Sequence, residues 1–308
     1  MPVDERSSDR STALAFALLV LVGGSNFVLV RFSNRELDPF WGAALRWGAA
    51  SAISFGIVAV RRTALPRGRA LVGVTIYGIL YFGAFYAFAY WGLQRAPAAV
   101  AALLFAPVPL ITLLLAAAQR VERLRLLGLA GALVAAAGIG VMVLIDASSL
   151  AVPLASFLAL LAAATCAAEG GIVVKLFPRS DPFAANAIGM AAGTLMLVAL
   201  SLVSGERLTL PSRGSTWAAV ATLVVLGGVV LFFLVLVVLR RWTASALSYA
   251  FVLFPIVALL LSAALEGTRV TPGILVGTAI VAVGVYVGAL APERRSRDLE
   301  LVRERVAE

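Results

Sequence analysis

The chain contains no histidine and a single cysteine, Cys166, in 308 residues. The first absence removes imidazole general bases, Ser-His-Asp triads and His-bearing metal motifs together. The second excludes an internal disulfide and any CxxC redox or zinc motif. Lysine is almost missing as well: 24 of the 25 basic residues are arginines, and Lys175 lies outside any GxxxxGK[ST] phosphate loop, so no ATP hydrolysis by this chain is expected. Charged residues make up 13%, about half the share in a soluble domain, while 62% are hydrophobic. With a mean hydropathy of +1.01, these proportions exclude both a single soluble core and a disordered chain. No cofactor or metal is expected. The arginines behind the net charge of +9 are scattered singly or in pairs between apolar runs, so no basic face and no nucleic-acid partner is implied.

What is present is a succession of apolar runs long enough to cross a bilayer, which takes about 20 residues of helix. Ten can be counted: 12–31, 40–60, 70–93, 97–118, 126–145, 153–174, 182–203, 215–238, 243–264 and 271–291. The fold class expected is therefore an all-α integral membrane protein with ten transmembrane helices. The first run is long, contains Asn26 and lacks a small-residue cleavage site before Arg31, so it reads as a retained helix rather than a signal peptide. With the N-terminus inside, 18 Lys and Arg residues fall on the inner side and six on the outer, as the preference of basic residues for the cytoplasmic side requires. Both termini are then cytoplasmic, residues 1–11 and 292–308 forming the tails.

The chain also resembles itself. Asp38-Pro39-Phe40 recurs as Asp181-Pro182-Phe183, and an ungapped offset of 146 places Pro109 on Pro255, Leu113-Leu114-Leu115 on Leu259-Leu260-Leu261, Gly131 on Gly277 and Gly138 on Gly284. Residues 12–145 and 153–291 thus read as two copies of a five-helix unit. Five is odd, so the second copy enters the membrane from the opposite side. Such inverted repeats are characteristic of secondary transporters, whose substrate site lies near the midplane between the copies.

Two five-helix halves, a first helix ending Gly24-Ser25-Asn26-Phe27-Val28-Leu29-Val30-Arg31, a proline inside spans 4 and 9, and the turn Val121-Glu122-Arg123 before glycine-rich span 5 resemble the drug/metabolite transporter superfamily. The resemblance is to its EamA-type ten-helix members, and among them to the aromatic amino acid exporters. The second half departs from the pattern, with Glu266-Gly267-Thr268 where Glu-Arg is expected. The resemblance implies export of small metabolites across a bacterial-type inner membrane by alternating access.

Candidate site residues follow from what is rare inside spans. In span 3, Tyr77, Tyr81 and Phe85 recur at i, i+4 and i+8 on one face, and a phenol at that depth needs a hydrogen-bond partner or water. They either line a cavity or pack with satisfied hydroxyls. Tyr86, Tyr90 and Trp91 fall nearer the outer end and read as an interfacial belt. Intramembrane charges are costly and usually face the bundle interior. Of these, Arg46 sits at the depth of Asn26 and pairs with it or snorkels, and Lys175 reads as an interfacial anchor. Glu169 has no basic partner on its own helix and either bonds a neighbouring helix, stays protonated or meets a substrate amine. The substrate cavity is expected between spans 1, 3, 4, 6, 8 and 9, lined by Ser25, Asn26, Tyr77, Tyr81, Phe85, Phe105, Glu169, Ser248 and Tyr249. Pro107, Pro109 and Pro255 kink spans 4 and 9 and serve as gates or as fixed bends. Gly131 and Gly138 in span 5, and Gly273, Gly277, Gly284 and Gly288 in span 10, allow close backbone approach.

The function these features favour is secondary export of small amphipathic metabolites, foremost neutral or aromatic amino acids, with the bilayer and a small molecule as the only partners. The alternatives are an exporter of another metabolite or drug class and an intramembrane lipid-modifying enzyme. The missing histidine and the lack of closely paired acids count against the enzyme. A retinal-type receptor or pump needs a lysine buried in mid-span, and Lys175 is at a helix end. The topology is tested by placing single cysteines at Ser148 or Ser296 in a Cys166→Ala background. An impermeant thiol reagent added to intact cells should label position 148 and spare 296.

Overall fold

The protein is described by a computed structural model covering residues 5–33, 36–94, 105, 108–145, 153–266 and 272–290. Pro107 lies outside these residues. Every regular element among the described residues is helical, and these elements group into ten segments joined by short turns and loops. α1 is Glu5–Ser33 and α2 Pro39–Val60. α3 runs Arg69–Gly78, through a π-helical turn at Ile79–Ala84, to Phe85–Leu93. α4 is Val108–Ala118, α5 Leu126–Ile145, α6 Leu154–Leu176 and α7 Pro182–Val203. α8 runs Gly214–Val224, through a π turn at Val225–Val230, to Leu231–Leu239. α9 comprises Ala244–Ser248 and Ala250–Glu266, and α10 comprises Pro272–Val285 and Tyr286–Leu290. α2, α3, α6, α7 and α8 are each long and apolar enough to cross a membrane. At 1.5 Å per residue the 22 residues of α2 and of α7 span about 33 Å, close to the hydrocarbon thickness. Leu14, Leu21, Val60, Leu195, Leu202 and Val203 are exposed on the outside of the bundle, the reverse of a soluble surface and suited to lipid.

The duplication is written into the backbone. α2 and α7 have the same length at an offset of 143 residues, and each ends on a left-handed residue at the equivalent place, Arg62 with φ 50° and Gly205 with φ 68°. The closing bonds match as well: the Thr63 amide donates to Val58 and the Glu206 amide to Ser201. The connection from α7 to α8 is longer than that from α2 to α3. From there the offset becomes 146, and the π turn of α3, Ile79–Ala84, falls on that of α8, Val225–Val230. Neighbours follow the same exchange. α2 packs along α7 and α5 along α10; α3 meets α6 as α8 meets α1, and α4 meets α6 as α9 meets α1. Adding five to each helix number, modulo ten, returns the first two pairings to themselves and exchanges the others in pairs, which is the signature of a two-fold axis between the halves.

α5 and α10 are joined at backbone distance. A Cβ on Gly131 would stand 2.4 Å from the Gly288 Cα, and one on Gly284 would stand 2.7 Å from the Gly131 carbonyl oxygen. Gly138 approaches the Gly277 carbonyl in the same way, at 2.9 Å. No hydrophobic force draws helices together inside lipid, so close van der Waals contact between small residues holds this pair. Gly284→Leu should force the helices apart and cost more than the 1–3 kcal/mol typical of overpacking, seen as a lower melting temperature in detergent. Gly140→Leu, on a face with nothing within 4 Å, should leave melting unchanged.

Candidate functional site

α3 is the central helix of the site. Tyr77, Tyr81 and Phe85 do share a face, with ring centroids 5.6 Å apart for Tyr77–Tyr81 and 5.9 Å for Tyr81–Phe85. The Tyr77 hydroxyl donates to Asn186 Oδ1 on α7 at 3.4 Å. The π turn also brings Phe82 inward, so Tyr81 and Phe82 both touch Phe232 of α8, at 5.3 and 4.5 Å. Further along, Phe85 meets Phe105 at 5.9 Å and Phe251 of α9 at 6.1 Å. Phe105 and Phe251 stack on each other with 30° between planes. They are equivalent under the 146 offset, so these two rings close on one another across the symmetry axis.

Phe251 and Phe232 escaped the sequence reading although the repeat contains them: the offset carries Phe105 onto Phe251 and Tyr86 onto Phe232. Trp47 was missed for want of any pattern around it. Its buried ring packs on Phe82, Tyr86 and Phe232 at 4.8, 4.8 and 5.2 Å. Tyr86 and Tyr90, read above as an interfacial belt, lie instead in the bundle interior. α3 packs against α2, α6 and α7 and touches α8 through Phe232, so only Trp91 and Phe88 of that stretch face outward.

A cavity of about 290 Å³ opens among α3, α6, α7 and α8 at the arginine-rich end. Tyr77 and Val74 form its α3 wall, and Lys175, Arg179 and Arg240 stand at its rim. Lys175 is more than an anchor: its ammonium donates to the Leu239 and Trp242 carbonyls at the end of α8. Glu122 accepts from the Ala244 amide at 2.6 Å, holding the start of α9.

The other polar residues expected in the cavity are distributed differently. Glu169 accepts two hydrogen bonds from Gln119 Nε2, at 2.9 and 2.7 Å, so it bonds the chain just past α4. Ser25 and Ser248 return their hydroxyls to the Val22 and Ser245 carbonyls of their own helices. The Tyr249 hydroxyl donates to the Gly128 carbonyl of α5 at 2.7 Å, away from the ring cluster. α9 breaks at Tyr249 and then runs helically through Pro255, while Pro109 is buried in the first turn of α4. Asn26 is buried beside α8 with its Oδ1 within 2.1 Å of where a Gly227 Cβ would stand.

At the opposite end from the cavity, the α1–α2 and α7–α8 connections clasp each other. Glu206 accepts from the Phe40 and Trp41 amides at 3.1 and 2.8 Å, capping α2 from another part of the chain. Asp38, the residue placed to cap α2, accepts instead from the Arg207 amide at 2.8 Å. Its equivalent Asp181 caps its own helix through the Phe183 and Ala184 amides. Glu36 accepts from the Ser212 and Arg213 amides and pairs with the Arg213 guanidinium at 3.1 Å. Burial pushes the Glu36 carboxyl up, but those amides and the guanidinium outweigh it and hold it below its ordinary value. The clasp is therefore complete above the ordinary carboxylate pKa, about 4.3, and loosens as pH falls through the lowered one. Amide exchange at Ser212 and Arg213, corrected for intrinsic rates, should accelerate on acidification below about pH 4; in Glu36→Gln it should be faster at pH 7 and insensitive to that step.

The profile of the EamA-like transporter family matches this chain twice, at residues 10–144 and 154–289. Of proteins with known names, the "Uncharacterized inner membrane transporter YedA" of Escherichia coli K12 is 26% identical over 289 residues, covering 90% of this chain and 92% of YedA. The YedA chains of strains O6:H1 and O157:H7 match to the same extent. A solved crystal structure shares the fold with a TM-score of 0.78 at 22% identity, covering 91% of this chain and 97% of that one.

Proposed function

We propose, from the premise that the chain belongs to the EamA-like transporter family, that this membrane transporter exports small amphipathic metabolites, neutral and aromatic amino acids foremost, by alternating access between its two repeats. The observation that carries this reading is the ring set Tyr81, Phe85, Phe105, Phe232 and Phe251, contributed by α3, α8, α9 and the residue Phe105 ahead of α4, and joined by contacts between the two halves. Aromatic faces there favour a planar or apolar side chain, each ring pair contributing about 0.5–1.5 kcal/mol beyond burial. The cavity ends at Tyr77 on the arginine-rich side, which the charge rule makes cytoplasmic, and the opposite clasp is shut. That combination supports an inward-facing state. In the outward-facing state the clasp opens and the rings separate, with the Pro109 and Pro255 segments as the bends about which α4 and α9 move.

In reconstituted vesicles, phenylalanine and tryptophan should be taken up, and lysine and glutamate poorly, because their side-chain charge has to be desolvated among rings. Tyr81→Ala should cut aromatic transport by about 2- to 12-fold, the equivalent of one lost ring pair, while the protein elutes as a folded species in detergent. Equal transport of charged and aromatic amino acids overturns the substrate assignment. Pro109→Ala and Pro255→Ala variants that transport at the parental rate overturn the role of the bends.

A further inference from the structure

Among the described residues, a positive charge is buried in the bundle with no carboxylate against it. Arg46, in the outer half of α2, is 2% exposed. Its partners among the described residues are the Gly227 carbonyl in the π turn of α8, at 2.9 Å, the Trp47 and Tyr86 rings, 4.4 and 5.6 Å from the guanidinium carbon, and the Tyr90 hydroxyl. These solvate a guanidinium but do not neutralise it. An intramembrane charge left in that condition is costly and usually marks the path of a substrate or ion.

The remaining hydrogen-bonding capacity lies in the same place. Among the described residues the Arg46 Nε–H and the Trp47 Nε1–H are buried donors without a partner, and Asn26 Oδ1 is a buried acceptor without one. Arg46 and Asn26 converge on Gly227, their atoms 2.7 and 2.1 Å from the position of a Cβ there, so only glycine leaves them room. The guanidinium is also one ring away from the aromatic set, because Trp47 touches Phe82 and Phe232. We infer that Arg46, assisted by Trp47, is the point at which a substrate carboxylate is held, its fork of donors matching the two carboxylate oxygens, while the aliphatic or aromatic part of the same molecule lies along the rings. This assignment rests on the transporter reading above and adds to it the chemical group recognised.

The site is closed in this conformation and has a route for opening. Arg46 is six residues below Phe40, about 9 Å along the helix, and the Phe40 and Trp41 amides are held by Glu206 in the clasp. Release of Glu206 frees the first turns of α2 and brings the guanidinium within reach of the outer aqueous phase.

The test is thermal unfolding of the full chain in detergent at matched chloride and ionic strength, with sodium phenylacetate, sodium propionate, sodium sulfate and phenethylammonium chloride as probes. Phenylacetate should raise the melting temperature of the parent and phenethylammonium should not. Arg46→Gln should weaken phenylacetate binding about tenfold or more, as loss of a charged hydrogen bond predicts, and Arg46→Lys should weaken it less. Because Arg46→Gln alters a buried centre, Asn26→Asp provides the second arm. It sets a carboxylate beside the guanidinium from within the chain, leaves no orphan charge, and should abolish the phenylacetate shift while the protein stays folded. A propionate shift equal to that of phenylacetate and lost in both variants supports the carboxylate site and overturns the aromatic part of the functional reading instead. The inference itself is overturned if sulfate stabilises as well as phenylacetate does, if phenethylammonium does so, if no carboxylate stabilises the parent, or if Asn26→Asp keeps the shift.

Discussion

Inside a hydrocarbon layer a polar group has no water to turn to, and most of this structure follows from that constraint. The backbone meets it by being helical in every described segment. Ser25, Ser33, Ser54, Thr112, Thr165 and Thr194 meet it by folding their hydroxyls back onto carbonyls of their own helices. Longer polar groups meet it across helices, as Tyr77 does with Asn186, Glu169 with Gln119 and Tyr249 with Gly128. Against that background of satisfied bonds, the few groups that have none become informative, because each represents a cost that packing alone does not explain.

The second organising fact is that hydrophobic attraction does not hold helices to one another once they are in lipid. The bundle relies on small residues that let backbones touch, on interlocked rings and on polar fastenings at the two ends. Gly131, Gly138, Gly284 and Gly288 do the first task for α5 and α10, and the rings around Phe82 and Phe232 do the second for α3 and α8. Lys175, Glu122, Glu206, Asp38 and Glu36 do the third, bonding to backbone groups at helix ends that would otherwise be bare.

Much of this architecture was legible in the chain because its signals are compositional. Arginines and turn residues bracket each run, so the expected span of 182–203 and the observed helix Pro182–Val203 coincide. The recurrence of Asp-Pro-Phe and of Pro109 at Pro255 announced the duplication. The parts that were not legible depend on which side of a helix faces which neighbour. A run hydrophobic all round has almost no amphipathic asymmetry, and so Trp47, one residue from Arg46, gave no sign that it sits at the centre of the rings. The chain places Tyr86 and Tyr90 only by their depth near the outer end of the span, and depth does not show that neighbouring helices enclose α3 there. Asp38 shows a different limit: the same tripeptide caps its own helix at Asp181 and reaches another loop at Asp38, a choice made by tertiary context alone.

The π turns of α3 and α8 occupy the same register, yet at equivalent places Tyr81 carries a bulky ring and Gly227 no side chain at all. In one half a ring fills the space beside the turn; in the other Asn26 and Arg46 occupy that space, and the carbonyl of the turn accepts from the Arg46 guanidinium. A passage built from two copies of one unit has no intrinsic polarity, and a molecule within it would lie equally well in either sense. Divergence at this one pair of positions gives the two halves different surroundings at the same place, a ring in one and two polar side chains in the other. It makes a scaffold of matched helices unsymmetric in its chemistry, without any change in the helices that frame it.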